Sequence, residues 1–110
     1  MEATLKETRR YENDGYEDIN YDILNENGDV IGWCNVMADD TAYCEGIAIN
    51  EEYRNKGYGT SALYELSNIY GGITVAPDNE DAKRLYERIG SESRYENADY
   101  IDQGYGVYDI

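Results

Sequence analysis

From Tyr21 to Asn50 the chain alternates short apolar runs with turn residues, a rhythm that predicts strands. Tyr21-Asp22-Ile23-Leu24 reads as one strand and Val30 to Met37 as its return. Asn25-Glu26-Asn27-Gly28-Asp29 joins them, and Asn27-Gly28 is a good hairpin signal because both residues tolerate positive φ. Ala38-Asp39-Asp40-Thr41 makes a second turn, and Ala42 to Asn50 a third strand ending in Gly46-Ile47-Ala48-Ile49. The period then changes. Ala62, Leu63, Leu66, Ile69 and Tyr70 share one face of a helix that Gly71-Gly72 stops. Ile73-Thr74-Val75-Ala76 is a short β-branched strand, so Ile47 to Ala76 forms one strand-helix-strand crossover, expected to be right-handed. Pro77-Asp78-Asn79 turns into a second helix with its buried stripe at Ala82, Leu85, Tyr86 and Ile89. Acidic residues stand at its start, Arg84 and Arg88 toward its end, and Gly90 stops it. A strand near Ser93-Arg94-Tyr95 and a last strand over Tyr105 to Ile110 complete the prediction.

The first 18 residues give no such rhythm. Leu5 and Tyr11 are the only large hydrophobes after Met1 and before Tyr16, which leaves a short strand or a loosely attached segment. The chain therefore divides into a charged N-terminal segment, 1–20, and one mixed α/β (α+β) domain, 21–110, with a mostly antiparallel central sheet and two main helices. At 110 residues a single small domain is expected.

Charge narrows the choice of partner. The net charge of −15 argues against direct nucleic-acid binding, which needs a basic surface to displace counterions. It favours cationic substrates or a basic protein surface, although acidic side chains also simply keep a small domain solvated. No apolar run approaches the ~20 residues of a membrane span, and Met1-Glu2-Ala3-Thr4-Leu5-Lys6 lacks a signal-peptide stretch, so a cytoplasmic location is expected. Cys34 and Cys44 fit that compartment as buried or free thiols; with no histidine in the chain, no metal site is expected. Thirteen tyrosines and no phenylalanine require tyrosine to fill core positions, and each buried hydroxyl then needs a partner.

The candidate chemistry lies in Arg54-Asn55-Lys56-Gly57-Tyr58-Gly59-Thr60, a loop with two glycines and two cations between a strand and a helix. The helix start offers unpaired N–H groups and a positive dipole end, and glycine removes the Cβ that would hold a phosphate off the backbone. A P-loop needs glycine followed by Lys and then Ser or Thr; Thr60 follows Gly59 directly. Gly57-Tyr58-Gly59-Thr60-Ser61-Ala62 satisfies the loose dinucleotide pattern, with Asp78 near its acidic position about 20 residues on. Against that, seven residues, Asn50 to Lys56, separate the strand from the first glycine, and one crossover after hairpins is too little for a doubly wound sheet.

Ile47 to Gly59 resembles the coenzyme A motif of the GNAT family, the Gcn5-related N-acetyltransferases: a strand, then Arg or Gln, two residues, Gly, one residue, and Gly or Ala. Val75-Ala76-Pro77-Asp78-Asn79-Glu80-Asp81-Ala82-Lys83-Arg84-Leu85-Tyr86-Glu87-Arg88-Ile89-Gly90 resembles the family's second signature. The resemblance, which covers Tyr21 to Ile110, implies an acetyltransferase fold that binds acetyl-CoA where two parallel strands splay apart. It implies that backbone groups of Ile47 and Ile49 meet the pantetheine arm. It also implies that amides of Arg54, Asn55, Lys56, Gly57, Tyr58, Gly59 and Thr60 hold the pyrophosphate, with Arg54 or Lys56 adding charge. Lys56 is otherwise an ordinary exposed lysine. Asn79 contacts the pantetheine or caps its helix, two roles that are compatible. Tyr86 is the candidate general acid for the CoA thiolate, with a core role as the competing reading. Glu45, just before the motif strand, is the nearest carboxylate to deprotonate the amine; a water relay and a solvated strand end are the alternatives.

Two departures bear on the substrate. The family's N-terminal strand and helix pair, which wall the acceptor site, look missing or reduced, and Ser91 stands where an aromatic residue commonly follows the second motif's glycine. An open acceptor side suits a protein lysine or N-terminus better than a small polyamine-like amine, or is completed by a partner in a homodimer. The expected function is transfer of acetyl from acetyl-CoA to a primary amine. The alternative is a catalytically weak acetyltransferase fold that binds and inhibits a partner protein through its acidic surface, in a composition suited to a phage gene.

Overall fold

The computed structural model describes residues 1–96 and 98–110. Among them, seven strands form one mixed sheet in the order β1-β2-β3-β4-β5-β7-β6. The strands are β1 (Thr4–Asn13), β2 (Tyr16–Leu24), β3 (Val30–Ala38), β4 (Ala42–Ile49), β5 (Thr74–Val75), β6 (Ser91–Glu92) and β7 (Tyr108–Asp109). The helices are α1 (Tyr58–Tyr70), α2 (Glu80–Ile89) and the short α3 (Ala98–Ile101), with a 3₁₀ turn at Glu51–Tyr53. The meander and both main helices fall where periodicity puts them. No helix among the described residues is long and apolar enough to cross a membrane.

The N-terminal segment is the main departure. Residues 4–24 form a long antiparallel hairpin, and β2 runs across the boundary drawn after residue 20. The N-terminal strand is therefore present, and a two-residue turn, Asp14 (φ 25°) and Gly15 (φ 92°), stands in place of any helix between β1 and β2. β1 buries neither face, so no alternation marks it; only Leu5 is even partly covered. Toward the other end, the strand expected at 93–95 lies instead at Ser91–Glu92, and the last strand is confined to Tyr108–Asp109.

Pairing register sets the core. Tyr21, Cys34 and Ile47 stand side by side on β2, β3 and β4, as do Ile19, Val36 and Cys44. Ala62, Leu63 and Leu66 of α1 belong to the same buried cluster. The Tyr21 and Tyr70 hydroxyls meet at 2.6 Å, Tyr58 bonds the Glu26 carboxylate, and Tyr108 donates to Glu87 Oε1 at 3.3 Å. These bonds make tyrosine tolerable where phenylalanine would otherwise sit. Cys34 and Cys44 are free and buried.

Candidate functional site

β4 and β5 are parallel neighbours for only two residues each, Tyr43 beside Thr74 and Cys44 beside Val75. Beyond them β4 runs on to Ile49, while the segment after β5 turns away through buried Pro77 into α2. The strands therefore part, leaving a wedge open along β4.

Two features shape that wedge. Cys44 pairs with Val36 and Gly46 with Asn35, so Glu45 is the extra residue of a β-bulge at the point of parting. Past the bulge, the Asn50 N–H donates to the Ile31 carbonyl at 2.7 Å, which directs the backbone groups of every second residue toward β3. The intervening Ile47 and Ile49 must then turn theirs toward the wedge. A polar, extended ligand can pair with this edge as an added strand does.

The glycine loop closes one end of the wedge. Arg54 Nε donates to the Ile49 carbonyl at 2.7 Å, binding the loop to the end of β4. Asn55 is left-handed at φ 61°, and Gly57, the N-cap of α1, has φ 84°, a conformation suited to glycine. No side chain caps α1, so its first amides, from Tyr58, Gly59 and Thr60, carry no capping bond. A Cβ on Gly59 would meet only Ile49 Cγ1, at an ordinary 3.8 Å, so packing within the protein does not require glycine there. The Tyr58 side chain is buried and bonded to Glu26, leaving its backbone to face a ligand. Lys56 Nζ lies 5.9 Å from the centre of the Tyr53 ring.

On the other side of the wedge, Asn79 Oδ1 accepts the Ala82 N–H at 2.9 Å and Nδ2 donates to Asp78 Oδ1 at 2.8 Å. Asn79 is thus the cap of α2, with little of its amide left over. Tyr86, two turns further along, is 8% exposed. Unlike the other buried tyrosines, its hydroxyl has no hydrogen-bond partner among the described residues and keeps some contact with solvent. Burial, reinforced by the charges of Cys44 and Asp78, pushes its pKa up to about 12, so it holds its proton throughout the neutral range.

A cavity of about 630 Å³ opens beside the bulge. Glu45, Tyr43 and Met37 line it from the sheet, and Tyr95, Ile101 and the largely exposed Tyr100 line it from the segment after β6, which makes its outer wall. Burial raises the Tyr43 pKa, and the Glu45 charge adds to the shift. The cavity wall was not legible in the sequence, because residues 93–96 and 98–107 fold as loop and one helical turn with no repeating pattern.

A family model described as the acetyltransferase (GNAT) family matches residues 2–90, the hairpin, the wedge and both main helices. The chain belongs to the acetyltransferase (GNAT) family. The solved structures agree on the fold. A GNAT acetyltransferase from Staphylococcus aureus superposes with a TM-score of 0.58 at 14% identity, over 84% of this chain and 66% of its own. One from Bacillus cereus gives 0.60 at 19%, over 86% and 71%. The ribosomal-protein-S18-alanine N-acetyltransferase of Escherichia coli gives 0.56 at 20%, over 89% and 66%. The chain thus spans about two thirds of the length of these structures. No curated protein matches it. GNAT acetyltransferases use acetyl-CoA, and the open β4 edge and uncapped α1 terminus fit its pantetheine and pyrophosphate.

Proposed function

We propose that this protein transfers acetyl from acetyl-CoA to a primary amine that enters through the tyrosine-lined cavity. The observation that carries the reading is the bulge at Glu45, which lies where β4 and β5 part and also lines the cavity. One residue therefore borders both the thioester's place and the amine's.

Bound acetyl-CoA supplies an activated acyl group. The chain supplies the rest. Backbone groups of Ile47 and the N–H of Ile49, whose carbonyl already holds Arg54, align the pantetheine, and the amides of Tyr58, Gly59 and Thr60 hold the pyrophosphate at the positive end of α1. Glu45, exposed and free of any ion pair among the described residues, accepts the proton that a cationic amine must lose before it attacks. Tyr86 donates a hydrogen bond to the departing thiolate. A phenol at about 12 is too weak an acid to protonate that thiolate outright, so its main contribution is stabilising the charge as it forms. The carboxylates and phenol rings of the cavity suit a cation before it is deprotonated, through charge and contact with the ring faces.

Calorimetric titration with acetyl-CoA, followed by thiol release on adding spermidine or an N-terminal alanine peptide, tests this reading. Micromolar cofactor binding and amine-dependent thiol release are expected. Absence of binding at millimolar acetyl-CoA would overturn it.

A further inference from the structure

Asp109 on β7 is joined by three hydrogen bonds to two separate segments of the chain. Its Oδ1 accepts from Thr74 Oγ1 at 2.9 Å and from Ser93 Oγ at 2.8 Å, and its Oδ2 accepts the Arg94 N–H at 3.1 Å. Ser93 Oγ in turn accepts the Tyr95 N–H at 3.0 Å, and the Tyr95 carbonyl accepts the Ala98 N–H that opens α3. One carboxylate thus links β5, at the edge of the wedge, to the segment that carries Tyr95, Tyr100 and Ile101.

The start of that segment, at Arg94 and Tyr95, has open space behind it. A second cavity, of about 390 Å³, lies against it, lined by Tyr70, Gly71, Arg94 and Asp109, and Tyr95 borders both cavities. A wall with open space on each side takes its position from directional bonds, since dispersion contacts are missing on the far side.

We propose that Asp109 is a positioning residue that fixes the wall of the amine cavity through Ser93 and Tyr95, and so sets affinity for the acceptor without touching it. The amine half of this proposal rests on the assignment of the cavity to the acceptor. The wall half stands on the hydrogen bonds alone.

Asp109→Ala removes all three of its bonds, and Ser93→Ala removes the link to Tyr95 while leaving the Thr74 bond. In the full chain, hydrogen exchange should speed about tenfold at the Arg94 and Tyr95 amides in both variants, with α1 and the β2–β3 pair unchanged. Ser93→Thr should restore protection. Spermidine titrated into the protein–CoA complex should bind about five to ten times more weakly to both variants, with CoA affinity unaltered. Unchanged exchange at Arg94 and Tyr95 would overturn the wall half, and equal loss of protection across α1 would show a role in global stability instead. If the wild-type complex binds no spermidine, the amine half falls together with the acceptor assignment, whatever the exchange result.

Discussion

Arg54 Nε donates to the carbonyl oxygen of Ile49 at 2.7 Å, so the first cation of the glycine loop is engaged by the backbone that the loop follows. The bond explains how seven residues can separate strand from glycine without leaving the loop free. Its expected role is to hold the amide cradle in place. Arg54→Ala should weaken acetyl-CoA binding about three- to tenfold, the scale of one charge-assisted hydrogen bond, as read by calorimetry. Lys56→Ala, which loses only an exposed contact with Tyr53, should change it less. The reverse order would mean that Lys56 is the phosphate ligand and Arg54 only a rim charge.

Gly59 separates the needs of the fold from those of the site. An Ala at this helical position meets nothing closer than ordinary contact, and alanine favours a helix over glycine by roughly 0.5–1 kcal/mol. Gly59→Ala should leave the melting temperature unchanged or slightly higher, while acetyl-CoA affinity drops about tenfold or more because the Cβ obstructs the pyrophosphate. Gly57→Ala must adopt φ 84° and should cost about 1 kcal/mol of stability as well. Full cofactor affinity in Gly59→Ala would remove the phosphate reading of this loop.

Much of the frame around the candidate site was legible in the sequence, and the reasons differ by element. Glycine spacing, helix caps and the alternation from Tyr21 to Ile49 are local signals, and the structure follows them. β1 was not legible because it is exposed on both faces and so has no apolar period; the one available signal was Asp14-Gly15, a hairpin dipeptide. The bulge at Glu45 arises from register between two strands, which no single segment encodes. The Asp109 links join residues 16 and 35 apart, so only the folded chain brings them together.

Tyr86→Phe tests the hydroxyl with little change in packing. kcat should fall about 10- to 100-fold, with the acetyl-CoA dissociation constant within about twofold of wild type. Because the phenol is held up to about 12, the kcat profile should show no alkaline decline from this group up to about pH 9.5. Wild-type turnover by the phenylalanine variant would return Tyr86 to a core role.

Glu45→Gln addresses the proton on the amine. The side chain is exposed at a bulge, so stability should stay within about 0.5 kcal/mol of wild type. kcat/KM for a cationic amine should fall about tenfold or more at neutral pH, and part of the loss should return at higher pH, where more of the amine is already neutral. A proportionate loss at every pH would point to substrate attraction rather than proton removal, and no loss would leave a water relay as the base.

Stability should decline in alkali, and the buried thiol and phenol dictate where. Burial pushes Cys34 from an ordinary 9.0 to about 12, and Tyr86 from 10.0 to about 12. On unfolding both return to their ordinary values. Above pH 9 the unfolded chain therefore releases protons that the folded chain keeps, so stability is whole below that point and is lost as pH rises toward 12. The combined effect is a few kcal/mol, a large part of the roughly 5–15 kcal/mol that holds a domain folded. Urea midpoints measured from about pH 8 to 11 should fall steadily, and Cys34→Val should shallow the early part of the decline between about pH 9 and 10. A midpoint that stays constant over this range would mean that neither group is desolvated as the packing around β3 and α2 requires.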